Sequence, residues 1–187
     1  GGRGLQGMGT KDEDWVEHLF VASAHQYLMI FTRSGQCHWL KVWQVPPAGR
    51  HSKGRPIVNL LNIDPADEIA SIVPVREFAD DQFLLFCTRE GKVKKTPLSA
   101  YGNVRSVGLI GINIREGDGL IDVQITDGDN EVILATQKGK AIRFNEQDAR
   151  SMGRVSEGVR GIRLGEEDHV VGMVVIRRED TTLLVVS

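Results

Sequence analysis

Lysine and arginine recur in three clusters along this chain of 187 residues. Positions 33–55 hold five basic residues and no acid, positions 89–105 hold five and one acid, and positions 138–163 hold seven and three acids. The stretches 64–81 and 115–131 each hold six acids and one arginine, and these acids are expected to form a face separate from the basic residues. Clustered cations bind phosphate groups, so this segregation predicts contact with a polyanion even though the net charge is only −2.

The basic clusters keep step with an internal repeat of about 50 residues. An apolar run precedes a Thr-x-x-Gly motif at 32–35, 88–91 and 136–139, and Ser187 takes the threonine place in a fourth copy. A second landmark is the glycine at 54, 108 and 158, which is followed four residues on by a triplet with apolar residues at its first and third positions. A third is the acid at 67, 118 and 168, which precedes the β-rich runs 69–75, 120–125 and 170–176.

Each repeat is predicted to be a blade of about four short β-strands, since its Val- and Ile-rich runs are bounded by Gly, Asp or Asn. One hairpin is expected around each of Gly35, Gly91 and Gly139, which supply the positive φ of a tight turn. A second hairpin is expected at 126–130, with counterparts at 79–81 and 178–180, and a helical turn at 146–152. We therefore expect one all-β, propeller-like domain over 1–187, with approximate repeats 1–53, 54–107, 108–157 and 158–187, the last one partial.

No constellation of residues indicates catalysis, a cofactor or a metal site. Gly91-Lys92 and Gly139-Lys140 mimic the end of a phosphate loop but lack its Ser or Thr. Cys37 and Cys87 have no zinc-ligand spacing and are expected to be reduced core thiols. The five histidines share no spacing, although His51 falls in a basic stretch. Without a signal peptide or an apolar run of membrane length, the chain is expected to be cytoplasmic.

Few aromatic residues accompany the basic clusters, the main ones being Trp39 and Trp43. Proteins that bind single strands stack bases on aromatic side chains. The composition therefore favours contact with the backbone of duplex DNA, which is largely independent of sequence.

Several segments resemble the C-terminal DNA-wrapping domain of the DNA gyrase A protein. Residues 1–4 (Gly1, Gly2, Arg3 and Gly4) resemble the end of its glutamine-arginine-arginine-glycine-glycine-lysine-glycine box, the GyrA box. The stretches 41–46 and 54–61 resemble its first blade, and 88–96 and 158–164 resemble later blades. The resemblance covers essentially the whole chain, although only four residues map onto the box.

The resemblance implies a β-pinwheel whose basic outer rim bends duplex DNA, here as an incomplete ring because the chain stops within the fourth repeat. It also implies a bacterial, nucleoid-associated protein that acts with the rest of gyrase A and with gyrase B in an A2B2 holoenzyme. That topoisomerase, an isomerase, performs ATP-dependent negative supercoiling. The cleavage tyrosine and the ATP site are not expected in this chain, whose two tyrosines, Tyr27 and Tyr101, lie inside repeats.

Residues predicted to contact phosphate share a place in the basic part of a repeat or in the box. They are Gly1, Gly2, Arg3, Gly4, Arg33, Lys41, Arg50, Lys53, Arg55, Arg89, Lys92, Lys94, Lys95, Arg105, Lys138, Lys140, Arg143, Arg154 and Arg160. Two alternatives remain open at this point: the C-terminal domain of the corresponding protein of topoisomerase IV, and a protein-binding propeller scaffold without a role in DNA binding.

Overall fold

A computed structural model describes residues 27–41, 61–105 and 107–177 of the chain. Among these, eleven β-strands account for nearly all regular structure. They are β1 (Tyr27–Thr32), β2 (Gln36–Lys41), β3 (Ile69–Val75), β4 (Phe83–Thr88), β5 (Lys92–Pro97), β6 (Leu109–Ile110), β7 (Leu120–Thr126), β8 (Glu131–Thr136), β9 (Ala141–Asn145), β10 (Val159–Arg160) and β11 (Val170–Ile176). Two 3₁₀ helices, Leu98–Tyr101 and Glu146–Asp148, follow β5 and β9.

The strands form three antiparallel sheets that share one plan. Sheet A has the order β3-β1-β2-β6, sheet B has β10-β5-β4-β7, and sheet C has β11-β8-β9. The outermost strand of sheets A and B comes from a later repeat, because β6 pairs with β2 and β10 pairs with β5. Sheets and sequence repeats are therefore offset, and each of these two sheets needs three consecutive repeats to supply its strands.

The sheets stack face to face, so β4 in sheet B, which lies between the other two sheets, is buried on both sides. In β4, Leu84 and Phe86 pack toward sheet A, where Phe86 meets Phe31 edge-on with ring centroids 5.3 Å apart. The alternate residues Leu85 and Cys87 pack toward sheet C. Burial on both faces explains why the sequence of this strand is continuously apolar instead of alternating.

The three predicted Thr-x-x-Gly hairpins are confirmed, and each is closed by the same hydrogen bonds. The threonine hydroxyl accepts the N–H of the residue four positions on, at Gln36, Lys92 and Lys140. The repeated acid accepts a turn N–H, as Asp118 does from Glu90 at 2.9 Å. These bonds explain why the threonine, the glycine and the acid recur together.

The second set of predicted hairpins is wrong. β7 pairs with β4, whereas β8 pairs with β11 and β9, so residues 127–130 cross from sheet B to sheet C. Residues 76–82 likewise cross from β3 in sheet A to β4 in sheet B. Glycine, aspartate and asparagine mark a connection between strands, but they do not indicate whether the two strands that it joins pair with each other. The counterpart at 178–180 lies outside the described residues, whereas the helical turn expected within 146–152 is present at 146–148.

No helix among the described residues is long and apolar enough to cross a membrane.

Two equivalent turn glycines differ only in what surrounds them, and this difference predicts unequal effects of substitution. Gly91 and Gly139 have φ of 87° and 88°. A Cβ at Gly91 would lie 2.8 Å from Cγ2 of Ile162 in a later repeat, whereas no described atom lies within 4 Å of one at Gly139. Gly139→Ala should lower the free energy of unfolding by about 1 kcal/mol through backbone strain alone. Gly91→Ala should cost about 1–3 kcal/mol more, because the side chain at the junction must shift.

Urea unfolding of both variants measures these costs. Equal losses would contradict the inference that a later repeat packs over the Gly91 turn, whereas no described residue packs over the Gly139 turn.

Candidate nucleic-acid interface

The sheets have an inner edge, where strands of neighbouring sheets converge, and an opposite outer edge. Ser71 on β3 donates to the carbonyl of Val123 on β7 at 2.9 Å, and Gln124 on β7 donates to Met173 on β11 at 2.9 Å. Inner strands β3, β7 and β11 carry a single charged residue, Asp122. The cations on strands therefore lie away from the inner edge.

We use the name outer rim for β6, β10, the segments leading into them (103–105, 107–108 and 151–158), and the lysines that open β5 and precede β9, Lys92 and Lys140. Arg105 and Arg160 are exposed on this rim, and Lys92 is the cross-strand partner of Arg160. Lys140, exposed before β9, takes the same place in its repeat as Lys92. From position 92 to position 110 the sequence contains no acid, so the rim of sheets A and B presents cations with few competing carboxylates.

Arg154 joins two sheets along the outer rim. Its guanidinium donates to the carbonyl of Ile110 on β6, and Asn113 N–H donates to the carbonyl of Ser156 at 3.1 Å. Arg115 and Glu157 complete this junction with an ion pair of 2.8 Å. Arg154 is thus held at the seam between sheet A and sheet B, with the guanidinium part-exposed.

The basic residues of the three turns lie beside acids. Arg33 forms an ion pair with Glu68 at 3.6 Å, and Lys138 donates its backbone N–H to Asp168 at 3.1 Å and its ammonium to the carbonyl of Glu166 at 2.6 Å. Arg89 is exposed in the turn that Asp118 closes. The expectation that the acids form a separate face is therefore wrong at the turns, because the repeated aspartate closes the same turn that carries the lysine or arginine.

Lys94 is buried completely, and its prediction as a phosphate contact is wrong. Its ammonium donates to the carbonyl of Gly111 at 2.7 Å and to the hydroxyl of Tyr101 at 3.1 Å, and lies 4.4 Å from the centre of the Phe86 ring. Tyr101 donates to the same carbonyl at 2.7 Å. Burial, reinforced by the Arg154 charge, lowers the pKa of Lys94 to about 7.

Lys95 is also buried, so its prediction as a phosphate contact is wrong as well. Its ammonium donates to the carbonyl of Glu146 at 3.1 Å and lies 3.8 Å from the carboxylate of that residue. The Glu146 carboxylate accepts further hydrogen bonds from the Thr126 hydroxyl and from Asn130. This buried network connects sheet B with sheet C. Of the three lysines on β5, only Lys92 remains available to a ligand.

Arg143 and Lys41 lie elsewhere on the sheets. Arg143 is exposed on the face of sheet C that no other described sheet covers, and it pairs with Glu131 at 3.9 Å. Lys41 is half-buried at the end of β2. Trp39, one of the two aromatics noted near the basic clusters, belongs to the core.

Seven of the predicted contacts, and one aromatic, lie outside the described residues. They are Gly1, Gly2, Arg3, Gly4, Arg50, Lys53 and Arg55, with Trp43.

Two features of the site escaped the sequence argument. Lys95 occupies the repeat position of Trp39, and Lys94 that of Ile142, so alignment of the repeats offered a hint of their burial. The other feature is a set of exposed aliphatic residues on the rim, for which a β-rich sequence gives no signal. They are Val107, Ile110, Val155 and Val159.

The cysteines and Tyr101 are not poised as nucleophiles. Cys37 and Cys87 are free and buried, as expected. Burial raises the pKa of the Cys87 thiol to about 12, and it raises the pKa of the Cys37 thiol and of the Tyr101 hydroxyl as well.

Stacked antiparallel sheets, two of which take their outer strand from a later repeat, define an all-β, propeller-like domain. The basic outer rim is its candidate polyanion-binding edge. The family model described as "DNA gyrase C-terminal domain, beta-propeller" matches residues 1–23, 26–76, 82–127 and 130–177. The chain therefore belongs to this family.

Curated relatives and solved structures agree with the family. The DNA gyrase A protein of Halalkalibacterium halodurans is 49% identical over 162 residues, which are 87% of this chain and 19% of the relative. Its Escherichia coli counterpart is 41% identical over 183 residues, 98% of this chain and 21% of the relative. The chain thus spans about a fifth of the length of these proteins.

Among solved structures, the C-terminal domain of DNA topoisomerase IV has a TM-score of 0.75 at 36% identity, and a DNA gyrase A C-terminal domain has 0.67 at 27%. Each match covers 82% of this chain and 48% of the other. The fold is accordingly the β-pinwheel of these domains, and the resemblance inferred from sequence is confirmed.

The burial of Lys94 predicts a pH dependence of stability. The unfolded chain regains the ordinary pKa of 10.5, so between pH 7 and about 10 it binds a proton that the folded chain lacks, and stability rises with pH. The free energy of unfolding of the original chain relative to Lys94→Met should increase by about 1–2 kcal/mol from pH 7 to pH 8.5. Urea unfolding at several pH values measures the difference.

Lys92→Met, on the same strand but not buried, is the matched control and should differ from the original chain by a constant amount. A constant difference for Lys94→Met as well would show that Lys94 keeps an ordinary pKa in the fold.

Proposed function

We propose that this chain binds duplex DNA without sequence specificity through its outer rim and contributes DNA wrapping to a gyrase that introduces negative supercoils with ATP. The observation that carries the proposal is the cross-strand pairing of Lys92 with Arg160 at the edge of sheet B, with Arg154 held at the seam to sheet A. Positions 92 to 110, which lead to that seam, contain no acid. Cations spaced along an edge suit the phosphates of a duplex, whose neutralisation supplies most nonspecific affinity.

The part of the chain that the structure describes exposes no large aromatic side chain, which supports duplex DNA over single strands as the ligand. Among the described residues, every exposed large hydrophobic side chain is a valine or an isoleucine. Without aromatic platforms for unpaired bases, the rim is suited to the backbone of a duplex.

The role proposed for the chain is non-catalytic. Tyr101 is buried and donates to Gly111, so its hydroxyl cannot reach a DNA strand. In this proposal DNA cleavage and ATP hydrolysis belong to other parts of the enzyme, the chain acts beside the rest of gyrase A and gyrase B, and the setting is the bacterial cytoplasm and nucleoid. The names of the curated relatives, all DNA gyrase A proteins, favour gyrase over topoisomerase IV.

A protein-binding scaffold is the second candidate function, favoured by the aliphatic residues among the rim cations. It differs from the first in predicting no affinity for DNA at low salt.

Two double variants with equal loss of charge separate the rim from the turns. Lys92→Ala with Arg160→Ala removes two cations from the rim, and Arg33→Ala with Lys138→Ala removes two from turns where acids already lie close. The rim variant should weaken duplex binding and reduce the slope of log affinity against log salt by about two units, because each phosphate contact contributes about 0.9. The turn variant should change both far less.

Fluorescence anisotropy against salt, with two unrelated duplexes of equal length, provides the measurement. Equal losses in the two double variants would mean that total charge, and not the rim, determines binding. No binding by the original chain at low salt would support the scaffold instead.

A further inference from the structure

The outer rim carries exposed aliphatic side chains among its cations. Four of the six exposed large hydrophobics in the described part of the chain lie there, namely Val107, Ile110, Val155 and Val159. The other two, Val171 and Val174, lie on β11 at the inner edge. A surface that met only phosphate would gain nothing from this composition, since apolar side chains neither attract nor hydrogen-bond an anion.

Equivalent positions of consecutive repeats hold an aliphatic residue in one repeat and a basic residue in the other. The glycines at positions 108 and 158 serve as the reference points. The residue three positions before the glycine is Arg105 in one repeat and Val155 in the next, and the residue two positions after it is Ile110 in one repeat and Arg160 in the next. All four side chains are exposed. A partner running along the rim therefore meets cations and apolar groups at equivalent places on consecutive sheets.

At the seam between sheets A and B the two kinds of residue are in direct proximity. Arg154 donates to the carbonyl of Ile110, and the segment bearing Val155 is fixed beside residues 110–113 by the bond from Asn113 N–H to Ser156. The exposed residues Ile110 and Val155 thus lie on backbone segments that Arg154 and these hydrogen bonds hold side by side.

We propose that Ile110 and Val155 form an apolar contact with the minor groove of bent duplex DNA, while the neighbouring cations bind its phosphates. Charge complementarity with Arg105, Arg154 and Arg160 selects a polyanion as occupant. The sugar edges of a minor groove are the apolar surface that such a polyanion offers, and aliphatic side chains placed there stabilise a bent duplex. The inference rests on the proposed function and adds a contact that charge alone does not provide.

Substitution by threonine tests the contact without changing charge or branching. The rim double variant is Ile110→Thr with Val155→Thr, at side chains that are 45% and 56% exposed. Its control is Val171→Thr with Val174→Thr, which is matched because these valines are similarly exposed, at 55% and 52%. Both should unfold in urea near the original chain. Duplex affinity, its salt slope, and bending of a short end-labelled duplex measured by energy transfer are then compared.

The rim variant should bind about tenfold more weakly than the control at every salt concentration, with an unchanged salt slope and a smaller bend, because the phosphate contacts remain. Equal affinity and bending in the two variants would overturn the proposal, while the salt dependence of the original chain would still stand as evidence for the rim.

A second copy of this chain is the competing occupant. If sedimentation shows that the original chain self-associates and the rim variant does not, with DNA bending unchanged, the aliphatic residues serve a protein contact and the proposal fails.

Discussion

The architecture depends on one constraint: the turn of each Thr-x-x-Gly hairpin is hydrogen-bonded to residues of later repeats. The carbonyl of Gly35 accepts N–H groups from Gly111 and Ile112, and the carbonyl of Gly91 accepts that of Gly161. Leu120 and Val170, at the starts of later strands, donate to the carbonyls at positions 33 and 89. Because a buried backbone group without a partner costs free energy comparable to a lost hydrogen bond, these bonds fix the spacing of consecutive sheets. The outer edge of one sheet is thereby built from a later repeat, which makes the rim continuous across the seam.

The constraint also divides the cations into two groups. Lys94 and Lys95 lie inside, where each donates to a carbonyl that belongs to a neighbouring part of the array. Lys92 and Arg160 lie outside on the same sheet. A basic stretch in such a repeat therefore combines cations that join sheets with cations that face a ligand, and its total charge overstates what the ligand meets.

Much of the fold could be predicted from sequence because its local signals are strong. The β-rich runs after Asp67 and Asp168 match β3 and β11, and the three positive-φ turns lie where Gly35, Gly91 and Gly139 were expected. Strand pairing across longer connections could not be predicted, since the Asp- and Gly-rich stretch at 127–130 is compatible with a hairpin or with a crossover. The burial of Lys94 was missed for a related reason. A lysine on a strand is ordinarily exposed, and only the packing of sheet A against sheet B shows that this one is not.

The central claim is that duplex DNA covers the outer rim and leaves the turns open. Amine-reactive labelling of the intact chain, read by mass spectrometry with and without a saturating duplex, tests this claim most directly. The account predicts that DNA protects Lys92 and Lys140 from labelling and leaves Lys138 in the acidic turn reactive. Lys94 and Lys95, which are buried, should react slowly both with and without DNA. Protection of Lys138 with continued labelling of Lys92 would place the DNA on the turns and contradict the account.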